Sequence, residues 1–168
     1  FRQTVRSELD IPYGPSPRTT YDLFLPEAHT DDAPSVALFI HGGYWQALEG
    51  KFFSHVAAGP LSHGLPVAVA NYDLCPDVRM GDIVEEMRSL AESLWQRFRK
   101  PIVAYGHSAG GHLTAALLAT NWRERNLPPL LVGSGLALSG LFDLKPIVAT
   151  SINEKLGLDE KEALAQSP

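Results

Sequence analysis

Gly106-His107-Ser108-Ala109-Gly110 places a serine inside a Gly-x-Ser-x-Gly pattern, between a short apolar run and a strongly apolar helical stretch. A serine at such a junction sits on a sharp strand-to-helix turn and projects its hydroxyl above the sheet edge. Glycine at 106 and 110 removes the side chains that would collide as the chain reverses. The helix that starts there aims free N–H groups and the positive end of its dipole near the reacting oxygen. This favours acyl transfer through a covalent serine ester, which needs no metal or organic cofactor. A bare alcohol is a weak nucleophile, so it needs a base to take its proton and donors to hold the oxyanion that forms. His41-Gly42-Gly43-Tyr44-Trp45, at the end of another apolar run, can supply donors, because two glycines let backbone N–H groups approach a bound carbonyl oxygen. A second donor is the N–H of Ala109, immediately after the nucleophile. The plainer alternatives are a glycine-rich turn with an incidental serine and a Gly-Gly turn with Tyr44 and Trp45 as core aromatics.

Several elements must position these residues. Val36–Ile40, Leu65–Ala70, Pro101–Tyr105 and Gly135–Leu138 are apolar on both faces and read as buried strands of a parallel sheet. Thr19–Leu25 alternates and reads as a further strand, stopped by Pro26. Residues 12–17 hold three prolines and form a turn, and Glu27–Pro34 is a polar surface loop. Lys51–Ala58, Asp82–Phe98, Ser108–Thr120 and Asp159–Ala165 read as helices. In the second of these, Asp82 is the expected N-cap with Glu85 completing a capping box. Ile83, Met87, Leu90, Leu94 and Phe98 fall on one stripe. Strands alternating with helices give an α/β fold, a mostly parallel sheet with helices on both faces. Ligands bind at the carboxyl ends of such strands. That rule selects His41–Trp45, Asn71–Asp73, Gly106–Gly110 and Ser139–Asp143.

The chain has 168 residues, 45% of them hydrophobic, enough for a single domain spanning 1–168 with its own core. Fourteen basic against nineteen acidic residues leave a net charge of −5, which argues against nucleic acid as a partner. No apolar run is long enough to span a membrane. The lone Cys75 excludes an internal disulfide or a cysteine-based zinc cluster, and a reduced, half-buried thiol in a cytoplasmic protein is expected. The glycines at 106–111 lack the lysine of a P-loop, and no His-x-x-x-His pair with an intervening glutamate suggests a zinc protease. The expected partner is a small-molecule substrate, and self-association into a homo-oligomer stays open.

With these motifs the chain resembles the α/β-hydrolase superfamily, in the branch of hormone-sensitive-lipase-like esterases and kynurenine formamidases. The loop His41-Gly42-Gly43-Tyr44-Trp45 is closer to the formamidase form. Asn71-Tyr72-Asp73-Leu74-Cys75-Pro76 is similar to the Tyr-Arg-Leu-Ala-Pro stretch of the esterases, and Ser139-Gly140-Leu141-Phe142-Asp143-Leu144 resembles a formamidase segment. The resemblance implies the α/β-hydrolase fold, Ser108 as nucleophile, and oxyanion donors at the N–H groups of Gly43, Tyr44 and Ala109. It also implies that His41 braces the loop formed with Gly42 and Trp45. Its first implied activity is arylformamidase, acting on an N-formylkynurenine-type substrate in tryptophan catabolism. A small-ester carboxylesterase comes second, and a non-catalytic binding protein on the same fold is the alternative from another class.

The triad order of this class is Ser, then Asp or Glu, then His. Only His112 follows Ser108, on the same helix, where it is expected to be satisfied by local contacts. His107 is expected to point into a pocket wall or neighbouring strand, and His29, His55 and His63 to lie in loops or on the surface. Asp143 is expected to be structural or to support the site from behind the reacting groups. The triad acid and base are therefore expected beyond Pro168, in a domain incomplete at its C-terminal side. Tyr44 and Trp45 either form an aromatic wall for an aryl substrate, or Trp45 packs beneath the loop.

Overall fold

A computed structural model describes residues 1–27 and 32–168, so the expectation for His29 lies outside the described residues. The described residues form a six-stranded sheet. Its strands are β1 (Ser7–Pro12), β2 (Thr20–Phe24), β3 (Val36–Ile40), β4 (Val67–Ala70), β5 (Ile102–His107) and β6 (Val132–Leu138). Their spatial order is β1-β2-β4-β3-β5-β6. β1 pairs antiparallel with β2, and β2 antiparallel with β4. From β4 onward the sheet is parallel, so β3 and β5 lie side by side with Ile40 opposite Gly106. This register brings His41 and Ser108 to the same carboxyl edge on adjacent strands.

The helices are α1 (Ala58–Ser62), α2 (Met80–Phe98), α3 (Ala109–Ala119), α4 (Asn153–Leu156) and α5 (Glu160–Ala165), joined by 3-10 turns at Gly50–Ala57, Trp122–Arg125 and Lys145–Ala149. β3 shows why a continuous apolar run suits a central strand. Val36, Leu38 and Ile40 enter the core beneath α2 and α3, while Ala37 and Phe39 pack with Phe24, Val67, Val69 and Ala57 on the opposite face. That second face is roofed by the 3-10 turn at Gly50–Ala57, where a regular helix was expected. Among the described residues, no helix is long and apolar enough to cross a membrane.

Two expectations need correction, and one strand has no counterpart among them. α2 starts at Met80 rather than at Asp82, because Met80 is itself buried. Asp82 is thus the third helical residue, its carboxylate accepting the Arg79 backbone N–H at 2.8 Å. Glu85 instead pairs with Arg88 and Arg125. β6 is a strand as expected, but it is not buried. It lies at the sheet edge with Leu136 56% and Leu138 47% exposed, because α3 covers only one of its faces. β1 went unanticipated, since its six residues, SELDIP, offer only Leu9 and Ile11 as large apolar side chains. It holds through its hairpin with β2, the Arg2–Asp22 ion pair and an Asp10 N–H bond to the Asp22 carboxylate.

Candidate active site

Ser108 lies between the end of β5 and the start of α3 with φ 56° and ψ −119°, a backbone conformation that side-chain-bearing residues rarely adopt. Hydrogen bonds fix it from both sides. Its N–H donates to the Leu138 carbonyl on β6 at 2.9 Å, and its carbonyl accepts from the His112 N–H of α3 at 3.1 Å. The flanking glycines are required by space. A Cβ on Gly106 would fall 2.4 Å from the Gly110 carbonyl oxygen, and one on Gly110 would fall 2.0 Å from that of Ile40. The turn is thus wedged against β3. The half-buried Ser108 hydroxyl makes no hydrogen bond with the described residues, and the N–H of Ala109, first in α3, has no acceptor four residues back in the helix.

The loop after β3 lies directly against this turn. A Cβ on Gly42 would sit 2.7 Å from the His107 carbonyl oxygen and 3.3 Å from Ser108 Cβ, so the loop approaches the serine too closely for any side chain at 42. Gly43, at φ 115°, closes a tight turn in which its carbonyl accepts the N–H groups of Gln46 and Ala47 at 3.0 and 3.1 Å. Tyr44, Trp45 and Leu48 also have positive φ. Four positive-φ residues, three of them consecutive, direct the loop, where the sequence suggested only a Gly-Gly bend.

His41 is buried beneath the loop. Its ring stacks on Tyr72 at 4.2 Å with an interplanar angle of 10°, and its Nδ1 donates to the Gly42 carbonyl at 2.7 Å. Burial pulls its pKa down to about 4, so it is neutral at physiological pH. The Tyr72 hydroxyl donates to the His41 carbonyl at 2.8 Å, which ties the loop after β4 to the loop after β3.

Trp45 is 0% exposed, so it forms no substrate wall; Tyr44, 50% exposed, stays at the rim. The Trp45 Nε1–H donates to His112 Nδ1 at 3.3 Å, with the two rings edge-on. His112 Nε2–H in turn donates to the Gln166 carbonyl at 2.7 Å. Both nitrogens are occupied, by partners distant in sequence rather than local ones, and burial lowers the pKa of the ring. His107 is exposed instead of entering a wall, while His55 and His63 are exposed as expected. Asp143 is exposed too, its carboxylate accepting the Lys145 N–H at 3.0 Å at the start of a 3-10 turn. Cys75 is free and more fully buried than expected.

The fold therefore gathers Ser108, Ala109, Gly42 and Gly43 and surrounds them with His41, Tyr72, Trp45 and His112. It brings no histidine or carboxylate of the described residues into hydrogen bonding with the Ser108 hydroxyl. Nor do three His, Cys, Asp or Glu side chains among the described residues gather into a metal-ligand set. A cavity of about 220 Å³ opens at the same sheet edge beyond β4, lined in part by Arg2, Arg18, Glu49 and Asn71. Ser108 does not line it, and its ionic groups pair with one another. Sequence reasoning passed over Tyr72, although it stands in a strand-end segment the carboxyl-edge rule had selected, and it passed over Arg18, for which no sequence signal exists.

A family model described as alpha/beta hydrolase fold matches residues 37–166. The chain is 34% identical to a kynurenine formamidase of Danio rerio over 169 residues, and 37% identical to one of Salmo salar over 170. Each match takes in 99% of this chain and 57% of the relative, so the chain spans little more than half the length of these curated relatives. A solved structure of a candidate thioesterase from Silicibacter sp. tm1040 superposes with a TM-score of 0.86 at 38% identity, over 97% of this chain and 61% of that one. An esterase of Pyrobaculum calidifontis, 18% identical with a TM-score of 0.77 over 97% of this chain and 61% of its own, shares the fold.

Proposed function

The chain belongs to the alpha/beta hydrolase fold family, and from that premise we propose that Ser108 is the nucleophile of an acyl hydrolase acting on aryl formamides of the N-formylkynurenine type. The observation that carries the proposal is the close approach of the loop at Gly42, which leaves no room for a Cβ, to Ser108 on a turn held at φ 56°. A serine in an unusual backbone conformation, pressed against a loop of equally unusual backbone, is the arrangement acyl transfer requires.

On this reading the Ser108 oxygen attacks the formyl carbon as its proton passes to a base. The carbonyl oxygen becomes an oxyanion held by the N–H groups of Gly43, Tyr44 and Ala109. Each such donor is worth roughly 3–4 kcal/mol of barrier in comparable sites. Collapse breaks the C–N bond, and the arylamine leaves with the proton returned by the base. Water then attacks the formyl ester, releasing formate and restoring the serine. The base comes from outside the described residues, because His41 and His112 are each committed elsewhere and His107 does not bond to the hydroxyl. His41, Gly42 and Trp45 shape the loop rather than touch the reacting atoms. The substrate is a small molecule, and the place of action is tryptophan catabolism in the cytoplasm.

A second reading is supported by the 38% identical Silicibacter protein: cleavage of small esters or thioesters by the same serine. Turnover of N-formylkynurenine and of a short aryl ester by the complete gene product, with Ser108→Ala as control, separates the two. The expected result is deformylation that vanishes in Ser108→Ala. Rapid ester cleavage with formylkynurenine untouched would give the esterase reading precedence, and no turnover of either would favour a binding protein on a hydrolase fold.

A further inference from the structure

Arg18 is the least anticipated residue near the site. It lies in the turn before β2, and its half-buried guanidinium reaches two other stretches of chain. Its Nε–H donates to the Tyr72 carbonyl at 2.9 Å, and one Nη2–H donates to the Leu48 carbonyl at 2.8 Å. Its Nη1 lies 3.5 Å from the Glu49 carboxylate. Its own backbone carbonyl accepts from Asn71 Nδ2 at 3.0 Å. Three segments separated by 30 and 54 residues thus meet on one planar cation.

Two of those bonds bear on the donor loop. Leu48 ends the tight turn that Gly43 begins, and its φ of 77° makes it a second unusual corner. A Cβ on Gly43 would fall 3.2 Å from Leu48 Cδ1, so the two corners are packed against each other. Holding the Leu48 carbonyl holds the far end of the loop. Tyr72 carries the near end, because its hydroxyl bonds the His41 carbonyl and its ring stacks on the His41 imidazole. The guanidinium bonds one end directly and the residue that anchors the other end.

We propose that Arg18 is a positioning residue for acyl transfer, fixing the two ends of the 41–48 loop so that its N–H groups stay aligned with the Ser108 hydroxyl. It touches no reacting atom. The planar fork suits two carbonyls at fixed separation, whereas a lysine ammonium is a point charge that cannot span both in one geometry. Glu49 pairs with the same cation but takes no part in holding the carbonyls. The proposal rests on the assignment of Ser108 as nucleophile, and its test keeps the two apart.

The test uses the complete gene product with Arg18→Met, Arg18→Lys, Glu49→Gln and Ser108→Ala. It measures kcat and KM for the better of the two substrates above, the rate of labelling by a fluorophosphonate, and folding by circular dichroism. Misaligned oxyanion donors lower the rate of bond making rather than substrate affinity, so both Arg18 variants are expected to lose about tenfold or more in kcat with KM within about twofold. Their labelling rates are expected to fall in parallel, and Glu49→Gln to stay within about twofold of wild type. Arg18→Lys serves where Arg18→Met does not fold, since it keeps the charge beside Glu49 and loses only the fork. The proposal is overturned by a folded Arg18→Lys protein with wild-type kcat and labelling, or by a loss that lies wholly in KM. Wild type that labels no faster than Ser108→Ala would instead remove the nucleophile assignment beneath it.

Discussion

The nucleophile turn and the donor loop meet at Ser108, yet they are built in opposite ways. The turn at 106–110 is held by backbone alone, on the two strands that flank β5 and on α3: two glycines pressed on backbone oxygens, one of them on β3, and N–H and carbonyl bonds to β6 and α3. The loop at 41–48 is shaped from outside. The Cys75 N–H donates to the Trp45 carbonyl at 2.8 Å, and Gln46 Nε2 donates to the Ile152 carbonyl at 2.8 Å. His112 takes the Trp45 indole N–H, and Tyr72 bonds and stacks on His41. Rigidity at the nucleophile thus comes from backbone packing on the two neighbouring strands, and alignment of the donors from side-chain and backbone braces in more distant segments. Damage to the turn should unfold and inactivate together, whereas damage to the braces of the loop should inactivate with less loss of stability.

The sharpest challenge to this contrast is Gly110→Ala, whose Cβ would lie 2.0 Å from one backbone oxygen and 2.8 Å from another. Neither backbone can retreat without breaking the β3–β5 pairing. Destabilisation of about 3 kcal/mol or more is expected in urea denaturation, with labelling of Ser108 lost. Gly42→Ala is expected next. Its Cβ meets the His107 carbonyl and Ser108 itself, so kcat should fall about a hundredfold or more while stability falls by only about 1–2 kcal/mol. A Gly42→Ala protein as unstable as Gly110→Ala would erase the distinction between the two regions.

Tyr72→Phe removes one hydroxyl and leaves the buried His41 carbonyl without that donor, at a cost of about 1–3 kcal/mol. Its kcat should drop about tenfold with little change in KM, as steady-state kinetics would show. Equal losses in kcat and in thermal stability among the turn and loop variants would argue against separate designs.

The smallest expected effect is on pH dependence. Glu86 accepts the Asp73 N–H in the segment that supports the loop, and burial pushes its pKa up to about 7. A carboxyl raised above its unfolded value of roughly 4.3 binds its proton more tightly when folded, so its contribution is complete below that value and is lost as pH rises through about 7. Glu86→Gln should therefore remove part of the fall in Tm between about pH 4.3 and pH 7. His41 acts in the reverse sense. Its folded pKa of about 4 lies below the unfolded value of roughly 6.5, so stability falls as pH drops through this interval. A Tm profile across pH in wild type and Glu86→Gln checks both signs.

The same division governs what the sequence alone could reveal. The nucleophile turn was legible because its requirements are five adjacent residues between two apolar stretches. The parallel strands β3, β4 and β5 were legible from short apolar runs, and α2 from its stripe. β6 was legible as a strand from its apolar run, and among the described residues it stands at the sheet edge with α3 on one face. β1 escaped because a polar edge strand is held by its hairpin partner and an ion pair rather than by a core-facing pattern. Burial of Trp45 was one of two readings left open, and the choice between them, like the partners of His112 67 and 54 residues away, depends on contacts no local pattern encodes. Arg18 lies furthest from legibility, since its meaning comes wholly from the two carbonyls that tertiary structure delivers to it.

Mass-spectrometric mapping of a fluorophosphonate adduct on the complete gene product tests the assignment of Ser108 most directly. A single adduct is expected on the peptide bearing Ser108, absent in Ser108→Ala. An adduct at another residue, or none on folded protein, would contradict it.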